Sequence, residues 1–106
     1  MIDVYVRSEG ENIEIDVGGH ANSAPKGEDL VCAAATILIR TLAKTLEAAV
    51  PGMVRSKLNE GDARVKVHGY DPVAAVAIET VLNGYRLLQA QYPEFIKIFE
   101  KREKTY

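Results

Sequence analysis

Residues 2–7, IDVYVR, alternate Ile2, Val4 and Val6 with Asp3, Tyr5 and Arg7, and residues 13–17, IEIDV, alternate Ile13, Ile15 and Val17 with Glu14 and Asp16. Successive side chains on a strand point to opposite faces, so each segment reads as a strand with one buried face. The polar SEGEN between them suits a hairpin loop and antiparallel pairing. The next dozen residues, GGHANSAPKGED, have no apolar period and are rich in Gly, Pro, Ser and Asn. A loop of that length suits a lid or a binding loop better than a spacer.

From Asp29 to about Ala49 the chain turns to Ala, Leu, Ile, Lys and Glu, and VPG at 50–52 stops it. This predicts the first helix, with Leu30, Ala34, Ile37, Leu38 and Leu42 on its inner face and Arg40, Lys44 and Glu47 outside. Residues 53–58 and 63–68 predict a second hairpin around NEGD, with His68 in its polar row as a solvated strand histidine. Asp71 is placed to cap the second helix, Pro72 sits in its first turn, and Pro93 ends it at or before Tyr92. Glu79, Asn83 and Arg86 mark its wet side. The tail EFIKIFEKREKTY fits an edge strand or a helical turn, and the strand is preferred.

The predicted fold is therefore α+β: a two-layer domain with a mostly antiparallel sheet and two helices, in the order β-β-α-β-β-α with a short C-terminal strand. At 106 residues the chain is read as a single domain, 1–106. Tyr85, Tyr92, Phe95 and Phe99 suit either the chain's own core or a symmetric interface.

Charge narrows the function. Thirteen Lys and Arg against fifteen Asp and Glu give a net charge of −2, whereas nucleic-acid binding normally shows as a basic excess. No apolar run approaches the roughly 20 residues that span a bilayer. The single cysteine admits no internal disulfide, and the cytoplasm is the expected compartment. No phosphate loop, dinucleotide fingerprint or zinc spacing is present, so neither a cofactor nor a metal is expected.

The candidate chemistry lies in VGGHANSAPKGEDLVCAAATIL, where Cys32 follows His20 by twelve residues. A cysteine in an apolar helix is commonly a small buried hydrophobe. With Asp29 at the helix cap, however, Cys32 falls in the first turn, where partnerless amides and the positive end of the macrodipole favour a thiolate. At about 100° per residue, Asp29, Cys32, Thr36 and Arg40 share a sector of roughly 80°. Thr36, one turn beyond Cys32, is placed to steer the sulfur or a neighbouring group. His20 follows a strand through two glycines, so strand end and helix start can meet, and a Cys–His pair is the minimal nucleophilic dyad. The amides of Cys32 and Ala33 would then serve a developing oxyanion, worth roughly 3 kcal/mol per donor.

GGHANSAPKGEDLVCAAAT resembles the signature of the ribosomal processing cysteine protease family, Prp, in which Gly-His-Ala is followed by Gly-x-Asp-x-Val-Cys-Ala-Ala at this separation. The resemblance implies Cys32 as nucleophile, His20 as base, Asp29 as an orienting or helix-start residue, and Gly19 and Gly27 as loop glycines that let the loop move over substrate. Thr36 stands where that family more often has serine. The resemblance further implies a homodimer acting on a protein substrate: the short apolar N-terminal extension of a large-subunit ribosomal protein, cut after aromatic residues, or a phage capsid or scaffold protein. The contrasting reading is a non-catalytic module that docks on a ribosomal or phage partner through the 20–28 loop.

Overall fold

The computed structural model describes residues 1–19 and 26–103. Its elements run β1 (Ile2–Glu9), β2 (Asn12–Gly18), α1 (Lys26–Ala49), β3 (Val54–Asn59), β4 (Asp62–Val67), α2 (Pro72–Gln91) and β5 (Ile96–Glu103). The predicted order holds, and the ambiguous tail is a full strand. The first hairpin is tighter than SEGEN suggested: pairing continues to Glu9 opposite Asn12, because Gly10 takes a positive φ of 58° that a two-residue turn demands.

The five strands lie in the order β3-β4-β2-β1-β5. Three of the four pairings are antiparallel; β5 closes the sheet by pairing parallel with β1, Ile2 opposite Ile96. Alternation sorts the two faces. Ile2, Val4, Val6, Ile15, Val17, Val65, Val67 and Ile96 point into the core. On the other face Tyr5 and Phe99, opposite each other in register, stack with ring centroids 4.9 Å apart. Beside them Arg64 holds Asp16 at 2.9 Å and Lys66 holds Glu14 at 3.3 Å.

Both helices cover the core face, α1 over β2, β3 and β4, and α2 against β5. The inner face of α1 differs from the predicted one. Val31, Ala35, Ile39, Leu42, Ala43 and Leu46 are buried, whereas Leu30 and Ile37 are 64% and 62% exposed. The apolar arc of this helix is wider than the face the sheet buries, so a period of 3.6 alone does not say which part of it turns inward, and contact with the sheet selects the Val31–Ala35–Ile39 line. Each fully buried Ile or Leu on that line stabilises the fold by about 1.5–3 kcal/mol. The start of α2 follows expectation: the Asp71 carboxylate accepts from the Ala74 amide at 3.0 Å, with Pro72 in the first turn.

The helices lock together at two adjacent residues of α2. Gly84 lets Leu38 approach so closely that a Cβ there would stand 2.9 Å from its Cδ2. Tyr85, completely buried, donates its hydroxyl to the Ala35 carbonyl at 2.8 Å. That bond satisfies a phenol that would otherwise be costly to bury and fixes α1 one turn beyond Cys32.

Candidate active site

Because β2 and β4 run antiparallel, Gly18 at the end of β2 stands opposite Asp62 at the start of β4. The β3–β4 turn therefore lies at the same end of the sheet as the strand that leads to His20. The Gly19 amide donates to the Gly61 carbonyl at 3.1 Å and ties the two together. Gly19 itself has φ 109°, and a Cβ built on it would overlap the Met1 carbonyl oxygen. Only glycine passes between the first residue of the chain and the turn without strain.

The N-terminal half of α1 crosses this end of the sheet and encloses a cavity of about 210 Å³. Cys32, Thr36 and Arg40 line it from the helix, Gly19 from the end of β2, and Asn59 to Asp62 from the turn. Its floor is apolar, made by Ile2, Val17, Ala35, Ile39 and Ala63. Of the polar row predicted along α1, Cys32, Thr36 and Arg40 thus face one cleft, whereas Asp29 does not line it. Cys32 is partly buried and packs against the core, so one flank is held by apolar neighbours while the other opens to the cavity. A larger cavity of about 410 Å³ opens at the opposite end, between the β1–β2 turn and the start of α2, and Cys32 and Gly19 have no part in it.

Several sequence expectations are corrected. α1 begins at Lys26, not at Asp29, so Asp29 is the fourth helical residue and is exposed, not a cap. Gly27, matched to a loop glycine, is the second residue of the helix. Cys32 accordingly sits in the second turn. Only the first four amides of a helix lack an intrahelical acceptor, which removes the basis for assigning an oxyanion to the amides of Cys32 and Ala33. The macrodipole also weakens beyond the first turn, so activation of the thiol falls chiefly to neighbouring side chains. Thr36 donates its hydroxyl to the Cys32 carbonyl at 2.7 Å, which leaves its oxygen as an acceptor for anything else that approaches.

His20 lies outside the described residues; Gly19, directly before it, is described and lines the cleft. His68 is exposed, as expected, but it lies one residue past β4, where its backbone amide donates to the Met53 carbonyl at 2.8 Å. Sequence reasoning missed the turn residues Asn59–Asp62 as cavity wall, whereas it had placed Arg40 in one row with Cys32 and Thr36, as the lining of the cavity has it. Among the described residues no three His, Cys, Asp or Glu side chains converge on a metal position. Among the described residues no helix is long and apolar enough to cross a membrane.

The family described as cysteine protease Prp matches residues 1–97. The chain belongs to that family. As a Prp member it is a cysteine protease, and the match covers every element that lines the Cys32 cleft. Solved structures share the fold. The SMU.848 protein from Streptococcus mutans is 23% identical over 97% of this chain and 96% of its own, with a TM-score of 0.77. The ribosomal processing protease Prp from S. aureus, solved with a substrate peptide, is 21% identical over 95% of this chain and 100% of its own, also at 0.77. The same enzyme with a covalently linked product peptide is 22% identical at the same TM-score. No curated protein matches the sequence.

Proposed function

We propose that this Prp-family protease is a site-specific endopeptidase in which Cys32 is the nucleophile and His20 the base. The observation that carries the reading is that Cys32 and Gly19, the residue before His20, line one cleft with an apolar floor. His20 takes the Cys32 thiol proton as the sulfur attacks the scissile carbonyl carbon. The resulting imidazolium protonates the leaving amine as the C–N bond breaks, leaving a thioester. Imidazole then deprotonates a water that attacks the thioester, and the thiol is regenerated.

The floor suits an apolar or aromatic side chain before the scissile bond. This agrees with removal of a short apolar extension from a large-subunit ribosomal protein, or with trimming of a phage capsid or scaffold protein. The solved relative from S. aureus, a ribosomal processing protease seen with a substrate peptide, supports the first of these and a cytoplasmic site of action. Gly19 sets where the histidine-bearing segment departs, and Asp29 and Gly27 shape the first turn of the helix that presents the sulfur. Exposed Leu30 and Ile37 on α1 and Val73, Val76 and Leu87 on α2 supply the apolar surface expected of a homodimer.

The test is cleavage of a peptide that carries an apolar, aromatic-ended sequence. Wild-type protein should cut it, while Cys32→Ala and His20→Ala should each lose at least about 1000-fold in kcat/KM, as loss of one dyad member does. Equal cleavage by Cys32→Ala would falsify the assignment. Sedimentation as a monomer at every concentration would remove the dimer.

A further inference from the structure

Resting on that reading, we propose that Ala63 on β4 sets the size specificity of the protease: the space left by its short side chain is the recess that takes one large apolar side chain of the substrate, that of the residue whose carbonyl Cys32 attacks.

The pairing of β2 with β4 shows where the space comes from. On the face turned to the helices Ile13 stands opposite Val67, Ile15 opposite Val65, and Val17 opposite Ala63. The middle pair is branched on both strands and fills the layer beneath the helices. At the cleft end β4 contributes a single methyl instead. Accessibility follows: Val17 and Ala63 each keep 8% exposure, whereas Ile15 and Val65 keep 1%. Val17 and Ala63 border the cavity that Cys32 and Thr36 line from α1, while Ile15 and Val65 do not. Because Cys32 itself lines this space, the side chain that enters it belongs to the residue under attack.

Volume and rigidity decide what fits. Apolar cavities of about 150 Å³ take up benzene, so a space of about 210 Å³ holds one ring with its methylene and not a second ring. The helix side of the recess cannot retreat to make more room. Ala35 and Ile39 close it, each 1% exposed, and the Ala35 carbonyl accepts the Tyr85 hydroxyl at 2.8 Å, which pins that turn of α1. With the opposite wall fixed, the side chain at position 63 controls the depth. Valine or isoleucine there, as in the neighbouring pairs, would project its extra carbons into the space a ring needs, and a packed wall yields little to such additions.

The experiment uses fluorescent peptides that differ only in carrying Phe, Leu or Ala at the cleavage position. Wild-type protein should favour Phe over Ala by about 100-fold or more in kcat/KM, since each methylene missing from an apolar pocket costs about tenfold or more. Ala63→Val and Ala63→Ile should lower that ratio by at least about tenfold, through loss of the Phe peptide, while cleavage of the Ala peptide per folded molecule stays within about threefold of wild type. Ala63→Gly, which cannot overpack the core, should keep Phe and gain cleavage of a naphthylalanine peptide that wild type excludes. Val65→Ile adds bulk one pair away, outside the cavity, and should leave the ratio unchanged, which separates filling of the recess from general overpacking. Circular dichroism verifies that the variants keep the fold. Binding of the same peptides to Cys32→Ala, with and without Ala63→Ile, gives the comparison without turnover, so failure of the protease reading shows as absent cleavage with size-dependent binding intact. A Phe over Ala ratio near one for wild type in both readouts, a ratio that Ala63→Val and Ala63→Ile leave unchanged, or one that Val65→Ile lowers as far, overturns the proposal.

Discussion

Gly19 threads past Met1 with no room for a side chain: a Cβ on it would collide with the Met1 carbonyl oxygen, and its φ of 109° is one that other residues adopt only under strain. Gly19→Ala must therefore either shift the first strand or bend the segment that carries His20. Stability should fall by about 1–3 kcal/mol, the usual cost of a strained backbone position, read as a lower urea midpoint. Cleavage should fall further than the loss of folded protein explains. A variant that cleaves normally per folded molecule would show that the exit angle of β2 has no influence on the dyad.

Tyr85 joins the helices through the Ala35 carbonyl, and removing its hydroxyl leaves a well-packed ring. Tyr85→Phe should cost about 0.5–1.5 kcal/mol in chemical denaturation, while Tyr85→Ala should cost about 3–5 kcal/mol by opening a cavity. Burial, first of all, pushes the phenol well above its ordinary value. With the folded value raised, the favourable contribution is intact below the unfolded value of about 10 and is lost as pH rises beyond it. Wild-type stability should consequently fall more steeply above that pH than that of Tyr85→Phe; parallel curves would contradict the assignment.

On the open face of the sheet two neighbouring carboxyls move in opposite directions. Burial and then the adjacent Glu14 raise Asp16, against the pull of Arg64. Glu14 is lowered, chiefly by a hydrogen bond from the Asp16 side chain and then by Lys66 and Arg64. Asp16 thus favours the folded state at acid pH, an effect that fades as pH rises through its folded value. Glu14 favours it above the ordinary carboxylate value, an effect lost as pH falls. Arg64→Ala should raise both carboxyls in an NMR titration of their side-chain carbons. A downward move of Asp16 would refute this account.

Gln89 guards the free edge of β5. Its side-chain oxygen accepts the outward-facing Ile98 amide at 2.7 Å, where another strand would otherwise add to the sheet. Gln89→Ala should speed hydrogen exchange at Ile98 by about tenfold and raise the tendency to associate at high concentration. Unchanged exchange there would mean that the bond is not formed in solution.

Much of this architecture was legible in the amino-acid order, for reasons that differ by element. β1, β2 and β4 alternate cleanly because only one face of the sheet is covered, and the Asp71–Pro72 pair announces α2. The start of α1 was not legible: Gly27 reads as a breaker, although Pro25 immediately before Lys26 is itself a helix-start signal. The phase of α1 was hidden by its own abundance of Ala, Ile and Leu. At the cleft, Cys32, Thr36 and Arg40 share a row that helical geometry alone predicts. The opposing wall at Glu60 and Asp62 depends on β2 pairing with β4 across the whole of α1, which no local pattern records.

The pairing of Ile2 with Ile96 carries a consequence for biogenesis. During synthesis β1 precedes its neighbour β5 by two helices and three strands, so one flank of β1 waits uncovered while those elements are translated. The strand that seats Met1 behind Gly19 therefore gains its second neighbour only after α2 has been translated.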